Sequence, residues 1–183
     1  MKIQYKEARN KTKWKKDNLL LVIHWAACTG PQCIYWFQCP GNKGSSAHYV
    51  IDRNGLITNM VPEKYIAWHA GFSSLKDYPT KIRGQEWKSV NVCSIGIELA
   101  GPPTSINKIA EKRGWAMHWD GWPGPEINAL IELCIDIKNR WPEIKLTDHS
   151  TISPGRKSDV KKGRGIDIFP WNRLLKETGI EEA

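Results

Sequence analysis

Leu19-Leu20-Leu21-Val22-Ile23-His24-Trp25 is the stretch on which the fold turns. Five consecutive aliphatic residues stand between the polar pair Asp17-Asn18 and a histidine, too few to span a bilayer. A run that is continuously apolar over strand length reads as a strand buried on both faces. Such a strand needs cover above and below, so it predicts a sheet with helices packed against it.

The neighbouring segments supply that cover. Residues 31–38 read as a short helix, with Pro31 near its first turn and Ile34, Trp36 and Phe37 on an apolar side. Ala47-His48-Tyr49-Val50-Ile51 and Leu56-Ile57-Thr58-Asn59-Met60 flank Asp52-Arg53-Asn54-Gly55, whose Asn-Gly predicts a β-hairpin. Ser94-Ile95-Gly96-Ile97-Glu98-Leu99 is a further strand, and its alternation sets Ile95, Ile97 and Leu99 on one face and Glu98 on the other. Residues 102–124, rich in Gly, Pro and Trp, read as an inserted excursion. Gly124-Pro125 then opens a helix whose apolar positions, Ile127, Leu130, Ile131, Cys134 and Ile137, recur at helical spacing. Residues 147–165 read as a polar loop and 170–177 as a closing helix. The expected class is α/β: a single domain over 19–178 with a central mixed β-sheet and helices on its faces. A basic arm over 1–18, irregular or a short edge element, precedes it, and a tail over 179–183 follows.

Composition narrows the function classes. The 183 residues fit one domain, and 40% hydrophobic with 25% charged residues excludes a disordered chain. Lys and Arg number 27 against 19 Asp and Glu, a net charge of +8 that favours polyanions such as nucleic acid, an anionic membrane or bacterial wall polymers. No nucleic-acid motif is present, and the basic residues scatter apart from Lys11, Lys13, Lys15 and Lys16, so nucleic acid is not expected as a partner. Five cysteines, an odd count without a CxxC pair, argue for reduced thiols over a disulfide framework, although Cys28 and Cys33 lie close enough in sequence to pair. The basic residues before the apolar run mimic a signal peptide ending Trp25-Ala26-Ala27-Cys28. The long polar leader and the interruption at His24 argue against one. The expectation is therefore a protein without an export signal or membrane insertion.

Two of the five histidines stand in telling contexts. His24 closes the buried strand, at the end where sites in sheet proteins gather. His149 opens the segment His149-Ser150-Thr151-Ile152-Ser153-Pro154-Gly155-Arg156-Lys157-Ser158-Asp159, which carries a carboxylate ten positions on. Two imidazoles and a carboxylate with a fourth position open form the ligand set of a hydrolytic Zn²⁺ site, and a loop of this length can fold back to supply it.

The blocks Leu21-Val22-Ile23-His24, Ser46-Ala47-His48-Tyr49-Val50-Ile51-Asp52-Arg53-Asn54-Gly55, Ala67-Trp68-His69-Ala70-Gly71, Ser94-Ile95-Gly96-Ile97-Glu98-Leu99 and His149 through Arg156-Lys157-Ser158-Asp159 occur in this order. Together they resemble the type-2 N-acetylmuramoyl-L-alanine amidases, a zinc family that includes phage lysozyme-type enzymes, muropeptide-recycling enzymes and peptidoglycan recognition proteins. The resemblance implies His24, His149 and Asp159 as Zn²⁺ ligands, with the aspartate of the recycling type where other members carry cysteine. It implies Glu98 as general base and then acid, and Lys157 as the group that steadies the developing oxyanion. The tyrosine that some members place before the hairpin histidine is Ala47 here, so that role is not transferred, and Tyr49 is expected to pack as a strand residue. His69, His48 and Arg156 are candidates for lining the substrate cleft, Arg156 by binding a substrate carboxylate in its fork.

The chemistry is consistent with that assignment. Zn²⁺ lowers the pKa of water to about 7, which offsets the poor electrophilicity of an amide. The expected function is a monomeric zinc amidase that cuts the bond between N-acetylmuramic acid and L-alanine of peptidoglycan. The first expectation is a phage endolysin, held in the host cytoplasm until lysis. The alternatives are a cytoplasmic amidase recycling anhydro-muropeptides and a non-catalytic peptidoglycan-binding protein.

Overall fold

Thirteen elements follow one another in a computed structural model that describes residues 1–13, 17–82, 84–101, 121–160 and 169–183. The first half contains β1 (Ile3–Tyr5), β2 (Leu20–Ala26), α1 (Gly30–Gln38), β3 (Tyr49–Ile51), β4 (Ile57–Asn59) and the short pair β5 (Lys81–Ile82) and β6 (Gln85–Glu86). A 3-10 turn at Val90–Cys93 leads into β7 (Ser94–Ala100), then α2 (Gly124–Arg140), β8 (Lys145–Asp148), α3 (His149–Ile152) and α4 (Trp171–Thr178).

Six strands form one sheet in the order β1-β4-β3-β7-β2-β8. Only the β3–β4 hairpin is antiparallel; the other four pairings are parallel. β2 lies between β7 and β8, and Leu20, Leu21, Val22 and Ile23 are wholly buried there, as the continuous apolar run predicts. Leu21, Ile23, Ile95, Ile97 and Leu99 face Ile127, Leu130 and Ile137 of α2 and Leu174 of α4. On the opposite face, Leu20 and Val22 meet Ile66, Val90 and Ile152, while Val50 meets Cys33, Ile34 and Phe37 of α1. The mixed sheet with helices on both faces is the class the sequence predicts.

Local chemistry sets the element ends. Thr29 and Gln32 form a reciprocal capping box at the start of α1, with Pro31 in its first turn. The hairpin turns on Gly55 at φ +84°, where a Cβ would also strike the Pro125 carbonyl oxygen at 2.8 Å, so a side chain is excluded twice over. α4 stops at Gly179, which is left-handed at φ 60°.

Two expectations differ from the structure. β8 occupies the start of the segment read as loop, because Lys145-Leu146-Thr147-Asp148 has one aliphatic residue and carries too little periodicity to register. Residues 179–183 are tied in: Ile180 is buried, and Leu146 exchanges main-chain hydrogen bonds with Glu181 and Ala183. The basic arm is partly built into the fold, since β1 pairs with β4 and Thr12 bridges Ile66. Of the expected insertion over 102–124, residues 102–120, with His118, Trp115 and Trp119, lie outside the described residues, as do positions 14–16, with the basic Lys15 and Lys16, and positions 161–165 of the expected loop. No helix among the described residues is long and apolar enough to cross a membrane.

One buried carboxylate makes the fold pH-sensitive. Glu126, fully buried in the first turn of α2, is pushed up to about 8 by burial, only partly offset by the Ala100 main chain and Arg53. A carboxyl whose folded pKa exceeds its unfolded value favours folding while protonated, and that contribution is lost as pH rises through 8. Glu126→Gln is therefore expected to raise stability by roughly 2–3 kcal/mol at pH 7 and to change it little near pH 4. Urea unfolding of both proteins across that range measures the difference.

Candidate metal centre and catalytic cleft

Strand register assembles the site. In the β2–β7 pairing His24 stands opposite Glu98, and in the β2–β8 pairing Ile23 stands opposite Asp148. One residue further, His149 starts α3 beside His24. Side chains alternate along a strand, so His24 and Glu98 share the face opposite α2 and α4. The carboxyl ends of parallel strands are where open α/β sheets hold their ligands.

Asp159 arrives by a folded-back loop whose ends are latched together. Asp148 accepts hydrogen bonds from the Thr151 N–H at 2.9 Å, the Ser150 hydroxyl at 2.7 Å and the Val160 N–H at 2.9 Å. The Ser150 N–H donates to the Asp159 carbonyl oxygen at 2.6 Å. A single buried carboxylate thus holds the start of α3 against the residues around Asp159.

Hydrogen bonds fix the ring tautomers. The Ser94 hydroxyl donates to the Val90 carbonyl oxygen at 2.7 Å, so its oxygen accepts from His69 Nε2 at 3.1 Å. His69 Nδ1 is then an acceptor, and it takes the Nε2–H of His24 at 2.9 Å. His149 donates its Nε2–H to the Ala70 carbonyl oxygen at 3.3 Å. Both histidines are left with bare Nδ1 atoms, 2.8 Å apart, and Asp159 Oδ2 lies 3.1 Å from one and 3.6 Å from the other. Three lone-pair donors converge on one point from buried side chains, all within 4.8 Å of one another. A divalent cation satisfies all three, and imidazoles whose second nitrogen donates to a neighbour are the usual form of histidine ligands. The residues fit Zn²⁺ in number and type.

Charge states agree with that fit. Burial, followed by the neighbouring His149, lowers His24 to about 4, so its ring is neutral at pH 7. The His149 and His24 rings beside it hold the Asp159 carboxyl well below the usual range, against the upward pull of burial.

These groups open onto a cleft of about 450 Å³. Glu98, His149, Lys157 and Asp159 line it together with Ala27, Cys28, Cys33 and Trp36. Burial first, and then the charge of Asp159, pushes Glu98 up to about 8, against the pull of Lys157. A cation held between His24, His149 and Asp159 would act on Glu98 in the opposite sense to Asp159.

The supporting candidates divide. His69 lines the cleft and also carries the tautomer relay to His24. His48 is wholly buried: its Nδ1 accepts the Gly96 N–H and its Nε2 donates to the Tyr65 carbonyl oxygen, both at 3.0 Å. Its nitrogens hold the strands under the cleft, so the structure gives it a bracing place. Arg156 borders the cleft, but one guanidinium nitrogen already donates to the carbonyl oxygens of Ala70 and Phe72 at 2.7 and 2.8 Å. Tyr49 packs on the α2 face and donates to Glu63, away from the cleft.

Sequence reasoning missed Asp148, Ser94, Gly96 and Trp36. For Gly96 a signal existed, since an isolated glycine within a strand pattern marks close approach. A Cβ there would meet the His69 ring at 2.3 Å. Gly96→Ala is expected to displace His69, release the His24 tautomer and weaken zinc affinity by about 10–100-fold while the fold persists. Chelator competition followed by circular dichroism checks both parts.

Similarity to known proteins points the same way. Residues 15–162 match the N-acetylmuramoyl-L-alanine amidase family. The chain is 30% identical over 176 residues to the N-acetylmuramoyl-L-alanine amidase AmiD of Escherichia coli, covering 86% of this chain and 52% of that protein. It is 37% identical over 131 residues to the 1,6-anhydro-N-acetylmuramyl-L-alanine amidase AmpD of Citrobacter freundii, covering 70% of this chain and 54% of that one. The structure of E. coli AmiD with the substrate anhydro-N-acetylmuramic acid-L-Ala-D-γ-Glu-L-Lys superposes with a TM-score of 0.65 at 28% identity, covering 94% of this chain and 62% of that one. The chain spans about half the length of the curated relatives it matches. A matched region that takes in His24, Glu98, His149 and Asp159, on a sheet of the same topology class, makes this chain a member of the type-2 N-acetylmuramoyl-L-alanine amidase family.

Proposed function

We propose that the protein is a zinc-dependent amidase that hydrolyses the bond between the lactyl group of N-acetylmuramic acid and L-alanine in anhydro-muropeptides. The observation that carries this reading is the convergence of His24 Nδ1, His149 Nδ1 and Asp159 Oδ2 beside Glu98.

Zn²⁺ held by those three residues would supply Lewis acidity for the scissile carbonyl and would make a water molecule acidic near neutral pH. Glu98, on the adjacent strand, takes the proton from that water as it attacks and returns it to the departing alanine amine. Lys157 lines the same cleft, and its ammonium stabilises the oxygen that becomes negative in the tetrahedral transition state. His69 holds the His24 ring in its ligand tautomer, and the bracing around Arg156 keeps the loop before Asp159 in place. The presence of both Asp159 and Glu98 favours catalysis over simple binding.

The first expectation was a phage endolysin. The relatives support the recycling alternative better: one takes its name from the anhydro sugar, and the AmiD structure holds an anhydro-muropeptide. The small size and the net charge of +8, which suits an anionic wall, are among the features on which the endolysin reading rests.

Digestion of a synthetic anhydro-muramyl tripeptide and of intact sacculi, followed by mass spectrometry, separates the two readings. The expected result is free tripeptide with a new N-terminal alanine from the soluble substrate and little release from sacculi. Rapid release from sacculi would favour the endolysin, and no cleavage of either would overturn the amidase. Glu98→Gln is expected to keep zinc and lose about 10²–10⁴-fold in kcat. Lys157→Ala should lose about 10²–10³-fold. Undiminished turnover in either variant removes that residue from the mechanism.

A further inference from the structure

We propose that the indole of Trp36 is the platform on which the muramyl pyranose lies during cleavage, so that this residue sets the requirement for the sugar. The inference rests on the amidase reading and deepens it.

Trp36 belongs to α1, whose Cys33, Ile34 and Phe37 are buried against the sheet. Its own ring is 50% exposed and lines the same cleft as Glu98 and Asp159. Large exposed aromatic side chains commonly reorient freely, but this one is pinned. The indole Nε1–H donates to the Ser45 hydroxyl oxygen at 3.1 Å, and that hydroxyl donates in turn to Asn42 Oδ1 at 3.1 Å. Buried Asn42 reaches back to the Trp36 carbonyl oxygen at 3.1 Å and to that of Ser45 at 2.8 Å. Asn10 fastens the same loop by donating to the carbonyl oxygens of Asn42 and Ser45. The indole nitrogen is thereby satisfied from its edge, and the apolar ring is held at a fixed angle without help from the core. The neighbouring Tyr35 is more exposed, at 70%, yet lines a different groove, so exposure on α1 does not by itself lead to the cleft.

The chemistry of the substrate selects what the ring meets. The scissile carbonyl joins the sugar through one carbon and one ether oxygen, so the pyranose must lie against a wall of the cleft itself. Glu98, Lys157 and Asp159 give the cleft's lining its charge, whereas Trp36, with Trp25 and Phe37, gives it apolar aromatic surface. A pyranose offers a face of C–H bonds, which suits the electron-rich face of an indole, while its hydroxyl and acetamido edges suit polar surroundings. The stem peptide beyond alanine is anionic and gains little from an indole. A ring already fixed loses little conformational entropy on binding, which raises the affinity that such a contact provides.

The test uses the zinc-loaded full chain and two substrates, the anhydro-N-acetylmuramyl tripeptide and the same tripeptide carrying only a D-lactyl group. Trp36→Ala is expected to raise KM for the sugar substrate about tenfold with kcat little changed, and Trp36→Phe to recover most of the loss. Neither variant should alter kcat/KM on the lactyl tripeptide. Binding of free anhydro-N-acetylmuramic acid, followed by calorimetry, should weaken by a similar factor in Trp36→Ala. Should Trp36→Ala fail to fold, Ser45→Ala frees the same ring and should raise KM for the sugar substrate alone. Equal losses on both substrates would assign the ring to the stem peptide or to folding and overturn the proposal, as would no loss at all; the amidase reading survives either result. A wild-type protein that cleaves neither substrate overturns both.

Discussion

Two unprotonated imidazole nitrogens and a carboxylate oxygen, aimed at one another from 2.8 to 3.6 Å inside the protein, repel unless positive charge lies between them. The surrounding hydrogen bonds maintain that arrangement by turning each spare N–H away from the meeting point. Ser94 acts through His69 on His24, and the Ala70 carbonyl acts on His149. Asp148 presses the Asp159 segment toward both. The local fold sets up an electrostatic demand that a divalent cation would answer.

The sheet separates support from chemistry by side-chain parity. On β2 and β7, odd-numbered residues sink into the layer made with α2 and α4, and even-numbered residues face the cleft side. The strand residues of the first layer, Leu21, Ile23, Ile95, Ile97 and Leu99, are aliphatic and wholly buried, so they can be close-packed and unyielding. The second carries Ser94, Gly96, Glu98 and His24 in two adjacent rows, each with a defined neighbour. A slip of one residue between β2 and β7 would send Glu98 into the aliphatic layer, so the register that stabilises the core is also the register that aligns the site.

Much of this was legible in the chain. The apolar run before His24 identified the central strand, the Asn-Gly turn identified the hairpin, and the periodicity from Ile127 to Ile137 identified α2. The alternation of Ile95, Ile97 and Leu99 separates Glu98 from the core on sequence alone. His24, His149 and Asp159 were identifiable because their residue types match a ligand set and their blocks match a family. What escaped was chemistry that depends on neighbours distant in sequence. His48 looks like a cleft residue by composition, and only its two main-chain partners reveal its bracing place. β8 was invisible because one aliphatic residue carries no period, and Asp148 looked like any other polar residue next to a histidine. Trp36 read as part of an apolar helix side because spacing cannot tell a core-facing ring from a rim-facing one.

Asp148 has a consequence for how such sites are recognised in other chains. Its carboxylate gathers residues 150, 151 and 160, so the positions of the two candidate ligands at 149 and 159 are set by their roots and hardly by the chain that runs between. Lengthening a loop whose ends are clamped carries only a slowly growing entropic penalty. The intervening turn is thus open to insertion and deletion without moving either ligating atom. Searches built on a fixed count from histidine to aspartate will overlook functional cousins, whereas an acidic residue immediately ahead of the histidine, closing a short parallel strand, offers a signature indifferent to that count.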